Sequence, residues 1–218
     1  MLSTKNIHLF KYDFMTSKIF TFLLIAFIIP FADSVAQTNV PAKPEDVSPL
    51  LIGEKTPNQA IENISGQAIY TYDIFKAKPT VLIFYRGGWC PYCNVHLAEL
   101  QQIEAEILAM GYQIVGISPD ASSELKASVE KHTLKYDLYS DADLNLAKAF
   151  GLAFQAPTKY KEMLAKQSDN KNPGLLPVPA VFVIDQEGTI QFEFINPNYT
   201  VRMSGDMLKA VLKALKTS

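Results

Sequence analysis

Val81-Leu82-Ile83-Phe84-Tyr85-Arg86-Gly87-Gly88-Trp89-Cys90-Pro91-Tyr92-Cys93 is the stretch from which the fold is read. It opens as an apolar strand and closes as the start of a helix. Pro91 suits the first helical position, where a missing N–H loses nothing, and Leu97, Leu100, Ile103 and Ile107 give that helix a buried stripe. Cys90 then falls at the N-cap, expected at an exposed tip, with Cys93 one turn in beneath it. Thiols at i and i+3 close a small disulfide without rearranging the fold, and a helix N-terminus stabilises a thiolate. An unperturbed thiol of pKa about 8.5 is only about 3 % thiolate at pH 7, whereas one at about 6 is about 90 %. These are the only two cysteines, so the pair reads as a redox centre rather than as two small buried hydrophobes. A structural zinc would need a fourth ligand beyond Cys90, Cys93 and His96, and no second CxxC or paired histidine supplies it. No metal or cofactor is implied, and His96 reads as an ordinary helix-surface or satisfied histidine.

Outward from this stretch, strand and helix alternate: strands over 80–85, 113–117 and 136–138, helices over 91–110, 122–131 and 144–150. A hairpin over 180–184 and 189–195 follows, turned by Asp185-Gln186-Glu187-Gly188, and a last helix covers 205–216. Alternation of this kind means an α/β protein, a central mixed β-sheet flanked by helices. The segment 154–176 reads either as a cover over the site or as a plain connection.

The first 36 residues read as an export signal. Lys11 and Lys18 lead into an apolar run over 19–29, and Ser34-Val35-Ala36 supplies the small residues of a cleavage site, with Met15 as the expected true start. The run is short for a membrane span, which needs about 20 residues, so the membrane enters only through an uncleaved anchor. Residues 37–50, with Pro41, Pro44 and Pro49, read as a flexible leader, and 51–218 as one domain. Without residues 1–36 the chain keeps 17 basic and 20 acidic residues, which offers nothing to nucleic acid. An exported protein whose only cysteines form one close pair carries no disulfide framework, so the expected setting is periplasmic or otherwise extracytoplasmic.

Pro179 is the second informative residue. In Leu176-Pro177-Val178-Pro179-Ala180-Val181-Phe182-Val183-Ile184-Asp185 it precedes a β-branched strand, either as a rigid turn or, with a cis Val178–Pro179 bond, beside a docking edge for an extended partner.

With these residues in view, 48–216 resembles the thioredoxin fold and, within it, the peroxiredoxin-like (alkyl hydroperoxide reductase/thiol-specific antioxidant) family. The carriers are the 84–93 stretch, Gly116-Ile117-Ser118-Pro119-Asp120, Ser140-Asp141-Ala142-Asp143 and 179–188. The resemblance puts Cys93 at the place of the peroxide-attacking cysteine, Cys90 at that of a threonine and Arg86 at that of a proline. Where typical members carry an activating arginine, this chain has Pro179, as thioredoxins do. Cys-Pro-Tyr-Cys is also a glutaredoxin signature, but the glutathione-holding Gly-Gly of that family is replaced by Asp185-Gln186-Glu187-Gly188.

The resemblance implies a thiol peroxidase: a thiolate attacks hydrogen peroxide or an organic hydroperoxide, the sulfenic acid closes to a Cys90–Cys93 disulfide, and a thioredoxin-like reductant reopens it. Arg86, Trp89 and Pro179 are the supporting residues. The competing reading is a protein disulfide reductase in which Cys90 attacks, favoured by Trp89 and Pro179. A third is a non-enzymatic binding module on the same fold.

Overall fold

The computed structural model describes residues 40–217. The export signal, its cleavage point and the start at Met15 lie outside the described residues. Among these, no helix is long and apolar enough to cross a membrane.

The central strand is β3 (Thr80–Phe84), all five residues of which are buried. It pairs in parallel with β4 (Gln113–Ser118), which in turn pairs in parallel with β5 (Asp137–Ser140). On its other side it pairs antiparallel with β8 (Ala180–Ile184), and β8 with β9 (Ile190–Ile195). A hairpin of β1 (Ala60–Asn63) and β2 (Ala68–Tyr70) completes a mixed seven-stranded sheet in the order β2-β1-β5-β4-β3-β8-β9. Helices flank it: α1 (Thr71–Ala77), α2 (Pro91–Ala109), α3 (Ser122–His132), α4 (Asn145–Ala149), α5 (Lys161–Gln167) and α6 (Gly205–Leu215). β6 (Ala153–Gln155) and β7 (Leu175–Pro177) form a separate antiparallel pair.

Side chains alternate across a strand, so β3 feeds two cores. Leu82 and Phe84 join Phe75, Phe150 and Phe182 on one face. Val81, Ile83 and Tyr85 join Leu97, Leu100 and Ile107 of α2 and Leu208 and Leu212 of α6 on the other, and both cysteines belong to that second core. Burying a leucine of this kind contributes about 1.5–3 kcal/mol, so the α2 stripe holds the cysteine-bearing helix firmly to the sheet. Ser204 caps α6 by accepting from the Met207 N–H, and Glu99 of α2 accepts from the Gly205 N–H at 2.6 Å, locking α6 to α2.

One expectation is corrected here and one open alternative is decided. The described part of the leader, 40–50, packs on the domain: the Leu50 N–H donates to the Phe150 carbonyl, the Gln155 N–H to that of Pro41, and Val40, Val47 and Leu50 pack against the first core. Its apolar residues find a tertiary surface that its proline content concealed. Val178–Pro179 is trans, and the Val178 N–H and the Pro179 carbonyl are already bonded to Leu152 and Asn196, so these groups offer no free docking edge.

Candidate functional site

The site lies at the carboxyl end of β3, where the chain leaves the sheet before entering α2. Open α/β sheets place their ligands at such strand ends. The turn is held by its main chain: Gly87 takes φ +135°, the Cys90 N–H donates to the Gly87 carbonyl, and the Gly88 N–H donates to Asp120 Oδ2 at 2.7 Å. Asn94 Nδ2 donates to the Gly88 carbonyl at 2.9 Å. A side chain at Gly87 would run into Trp89 Nε1 and Asp120 Oδ1, so the turn has room only for glycine.

Cys90 is the N-cap of α2 and Pro91 its first residue, as the spacing predicts. Both cysteines are free thiols. Cys90 is not an exposed tip, however: it is 1 % exposed and Cys93 is fully buried. The cover is tertiary. Arg86 places Nη1 4.0 Å from Cys90 Sγ and is itself 5 % exposed, beneath the rings of Tyr199, Trp89 and Tyr160 at 4.2, 4.9 and 5.1 Å. Trp89 also stacks on Tyr160 at 5.4 Å. Tyr160 follows β6 in the segment 154–176, so this segment covers the site.

The two sulfurs are electrostatically unlike. The Cys93 thiol donates to Cys90, which with the Cys93 N–H, Arg86 and Arg202 holds the Cys90 pKa down to about 6 against the opposing effect of burial. Burial and the neighbouring sulfur push Cys93 well up. Of the pair, Cys90 is therefore the more acidic thiol and Cys93 the less acidic.

Arg202, which the sequence reading left without a role, places Nη2 3.6 Å from Cys93 Sγ. It comes from the loop between β9 and α6, over a hundred residues from the cysteines. The one signal that marks it is that the chain has only two arginines, 86 and 202. His96 is buried, its ring bonded to the Met203 carbonyl, and burial together with Arg202 lowers its pKa to about 4, so it is neutral. Asp120 is buried too, and desolvation raises its pKa to about 7 against the bonds from Gly88 and Ser118. Asp141, in the other acidic motif, accepts from the N–H groups of Leu146 and Ala147 at the start of α4 and ties that helix to the end of β5. Pro179 lines a pocket beside Arg86.

A thioredoxin-type sheet with a thiol pair at the N-terminus of the helix after its central strand defines a thiol-dependent oxidoreductase. The chain matches the AhpC/TSA family over residues 52–193, and it belongs to that family. It is 26 % identical to peroxiredoxin Bcp of Escherichia coli K12 over 148 residues, 68 % of this chain and 87 % of that one. It is 30 % identical to the bcp product of Haemophilus influenzae over 106 residues, 49 % of this chain and 68 % of that one. Among solved structures it resembles reduced Prx3 of Vibrio vulnificus in complex with hydrogen peroxide, with a TM-score of 0.65 at 20 % identity, covering 75 % of this chain and 96 % of that one.

Proposed function

We propose that this thiol-dependent peroxidase works through a Cys90–Cys93 couple in which Cys90 attacks. The observation that carries this is that Cys90 Sγ accepts from Arg86 Nη1 at 4.0 Å, in keeping with a pKa lowered at Cys90 and raised at Cys93. The Cys90 thiolate attacks the terminal oxygen of a hydroperoxide, the O–O bond breaks, and the departing alkoxide takes a proton to leave as an alcohol or, from hydrogen peroxide, as water. Cys90 becomes a sulfenic acid. Cys93 then loses its proton and attacks the Cys90 sulfur, hydroxide leaves as water, and a disulfide closes. One peroxide has been reduced by two electrons and two thiols oxidised to one disulfide. A dithiol donor of the thioredoxin type reopens it by exchange and is itself oxidised.

This reverses the role that alignment with peroxiredoxins implies for Cys93. The physical reason is charge: a sulfur that holds its proton is a poor nucleophile, and burial and the neighbouring sulfur push Cys93 toward its protonated form. Arg202 has its use in the second step, where Cys93 must become a thiolate after the charge on Cys90 has been consumed.

The test is stopped-flow mixing of the reduced protein with hydrogen peroxide and with an organic hydroperoxide, read by the fluorescence of Trp89, the only tryptophan. A rate far above that of a free thiol is expected, lost in Cys90→Ser. Cys93→Ser should still form a sulfenic acid. Fast sulfenic-acid formation on Cys93 in Cys90→Ser would restore the order that alignment implies. The second reading, a protein disulfide reductase, draws on the same Cys90 thiolate and on Pro179 in the adjacent pocket; a rate no faster than a free thiol would favour it.

We also infer an extracytoplasmic location from residues 1–36, whose composition supports it. Cell fractionation together with amino-terminal sequencing of the secreted form tests this, with a start at Gln37 expected and a cytoplasmic, full-length chain against it.

A further inference from the structure

The guanidinium that reaches Cys93 is only partly held. Arg202 Nη1 donates to the Val201 carbonyl at 3.0 Å and Nη2 points at Cys93 Sγ, but Nε is buried without a protein partner. Among the described residues Arg202 forms no ion pair. His96, one turn along α2 from Cys93 and 3 % exposed, presents the complementary group. Its ring donates to the Met203 carbonyl, burial keeps it neutral, and Nε2 has no partner. With the proton on Nδ1, Nε2 is an acceptor, whereas Arg202 Nε is a donor. A buried donor and a buried acceptor thus stand unanswered, and leaving such groups unpaired is costly. Both residues line one small cavity of about 10 Å³, whose other lining residues, among them Phe84, Val181 and Phe194, are apolar. One water needs roughly 10–15 Å³ and at least two polar partners.

We propose that one buried water bridges Arg202 to His96, accepting from Nε and donating to Nε2, and that His96 is through it a positioning residue for the attack of Cys93. Anchored at Nε and Nη1, the planar guanidinium has one orientation, with Nη2 on the Cys93 sulfur. A water-mediated bond of this kind is nearly as good as a direct one. Without it, a long side chain is held at a single carbonyl and its charge wanders from the sulfur. The role falls in disulfide closure, where Cys93 must give up its proton, whereas the peroxide step belongs to Cys90 and Arg86. It rests on the peroxidase reading only for the identity of the first step: any reagent that leaves a displaceable group on the Cys90 sulfur calls on Cys93 in the same way.

The test follows closure in the reduced full chain with His96→Asn, which keeps a donor for Met203 but has nothing at the place of Nε2, and His96→Gln, whose longer amide puts an oxygen there. With hydrogen peroxide, read by Trp89 in two phases, His96→Asn should slow the second phase about 3- to 10-fold and leave the first within about twofold, and His96→Gln should recover most of the loss. In an Arg202→Gln background His96→Asn should add no further slowing, since nothing is left to position. Dithiobis(nitrobenzoate) gives the same step without peroxide: Cys90 displaces one nitrobenzoate thiolate, and Cys93, losing its proton to solvent, then attacks the Cys90 sulfur and releases the second, seen by absorbance. A crystal structure should show one water within hydrogen-bonding distance of both nitrogens. Slowing of both phases alike, effects additive with Arg202→Gln, no recovery in His96→Gln, or the two nitrogens without a shared water would overturn the assignment. The two readings fail separately. Slow peroxide reduction with the His96→Asn defect still seen against the aromatic disulfide would sink the peroxidase reading and leave the bridge; fast peroxide reduction with closure unaltered in His96→Asn would sink the bridge and leave the peroxidase.

Discussion

Arg202 stands 3.6 Å from the sulfur of Cys93, at the opposite end of the thiol pair from Arg86, which stands 4.0 Å from that of Cys90. Each sulfur thus has its own guanidinium, and the chain has no others. The two charges serve different moments. In the proposed order, Arg86 faces the sulfur that attacks the peroxide and Arg202 the one that must ionise afterwards.

Removing either should therefore slow a different phase. A hydrogen bond to a charged group contributes about 1.5–3 kcal/mol, which corresponds to about a 10- to 150-fold change in rate. Arg86→Gln is expected to slow oxidation by peroxide by that order. Arg202→Gln should leave that phase within a few-fold and slow disulfide closure instead. Two-phase stopped-flow fluorescence separates them, and an Arg202→Gln protein slowed only in the first phase would contradict this division.

The thiolate of Cys90 should titrate near pH 6, about 2.5 units below an ordinary thiol, because Cys93 donates to it. Ultraviolet thiolate absorbance measures this in the reduced protein. Cys93→Ala removes the largest contribution and should move the midpoint upward. Titration of the wild type at the ordinary thiol value would remove the basis for Cys90 as nucleophile.

Asp120 makes stability fall as pH rises. Burial lifts its pKa from the ordinary carboxyl value of 3.8 to about 7, so between these values the folded protein holds a proton that the unfolded chain has released. The stability is present below the lower value and lost as pH climbs to the upper one. Asp141 acts in the same sense, and His96, with its pKa lowered to about 4, in the opposite one below its unfolded pKa of about 6.5. Asp120→Asn keeps an oxygen for the Gly88 N–H and removes one of the three. Its melting temperature should decline less than that of the wild type between about pH 4 and about pH 7; parallel declines would show that Asp120 titrates normally.

Gly87→Ala should destabilise the protein by about 2–4 kcal/mol and disturb the environment of Trp89, since it combines a positive φ with a collision against the indole and Asp120. Urea unfolding and the emission spectrum of the folded state test both parts. A variant as stable as the wild type would mean that the turn relaxes.

Much of the architecture was legible because it is local. β3, β4 and β8 announce themselves as apolar runs, β9 by alternation after a turn, and α2 by its stripe, of which Leu97, Leu100 and Ile107 are fully buried. The hairpin of β1 and β2 escaped because its short strands expose much of their surface and owe their form to pairing with each other and with β5. β6 and β7 escaped likewise, three residues each, held mainly by one another.

By itself the sequence determined the succession of strands and helices from β3 to α4 and the β8–β9 hairpin, the start of α2 at Cys90 and the closeness of two thiols, since i to i+3 spacing on a helix is geometry that no distant residue alters. Only the tertiary structure decided which sulfur is the more acidic and what reaches it. Those properties are sums over groups far apart in the chain: Arg202 from beyond β9, Tyr160 from beyond β6, Tyr199 folded down over Arg86, and the burial that lifts Asp120. A thiolate's stability depends on the charges and dipoles within a few ångströms of it, and here most of them arrive by folding.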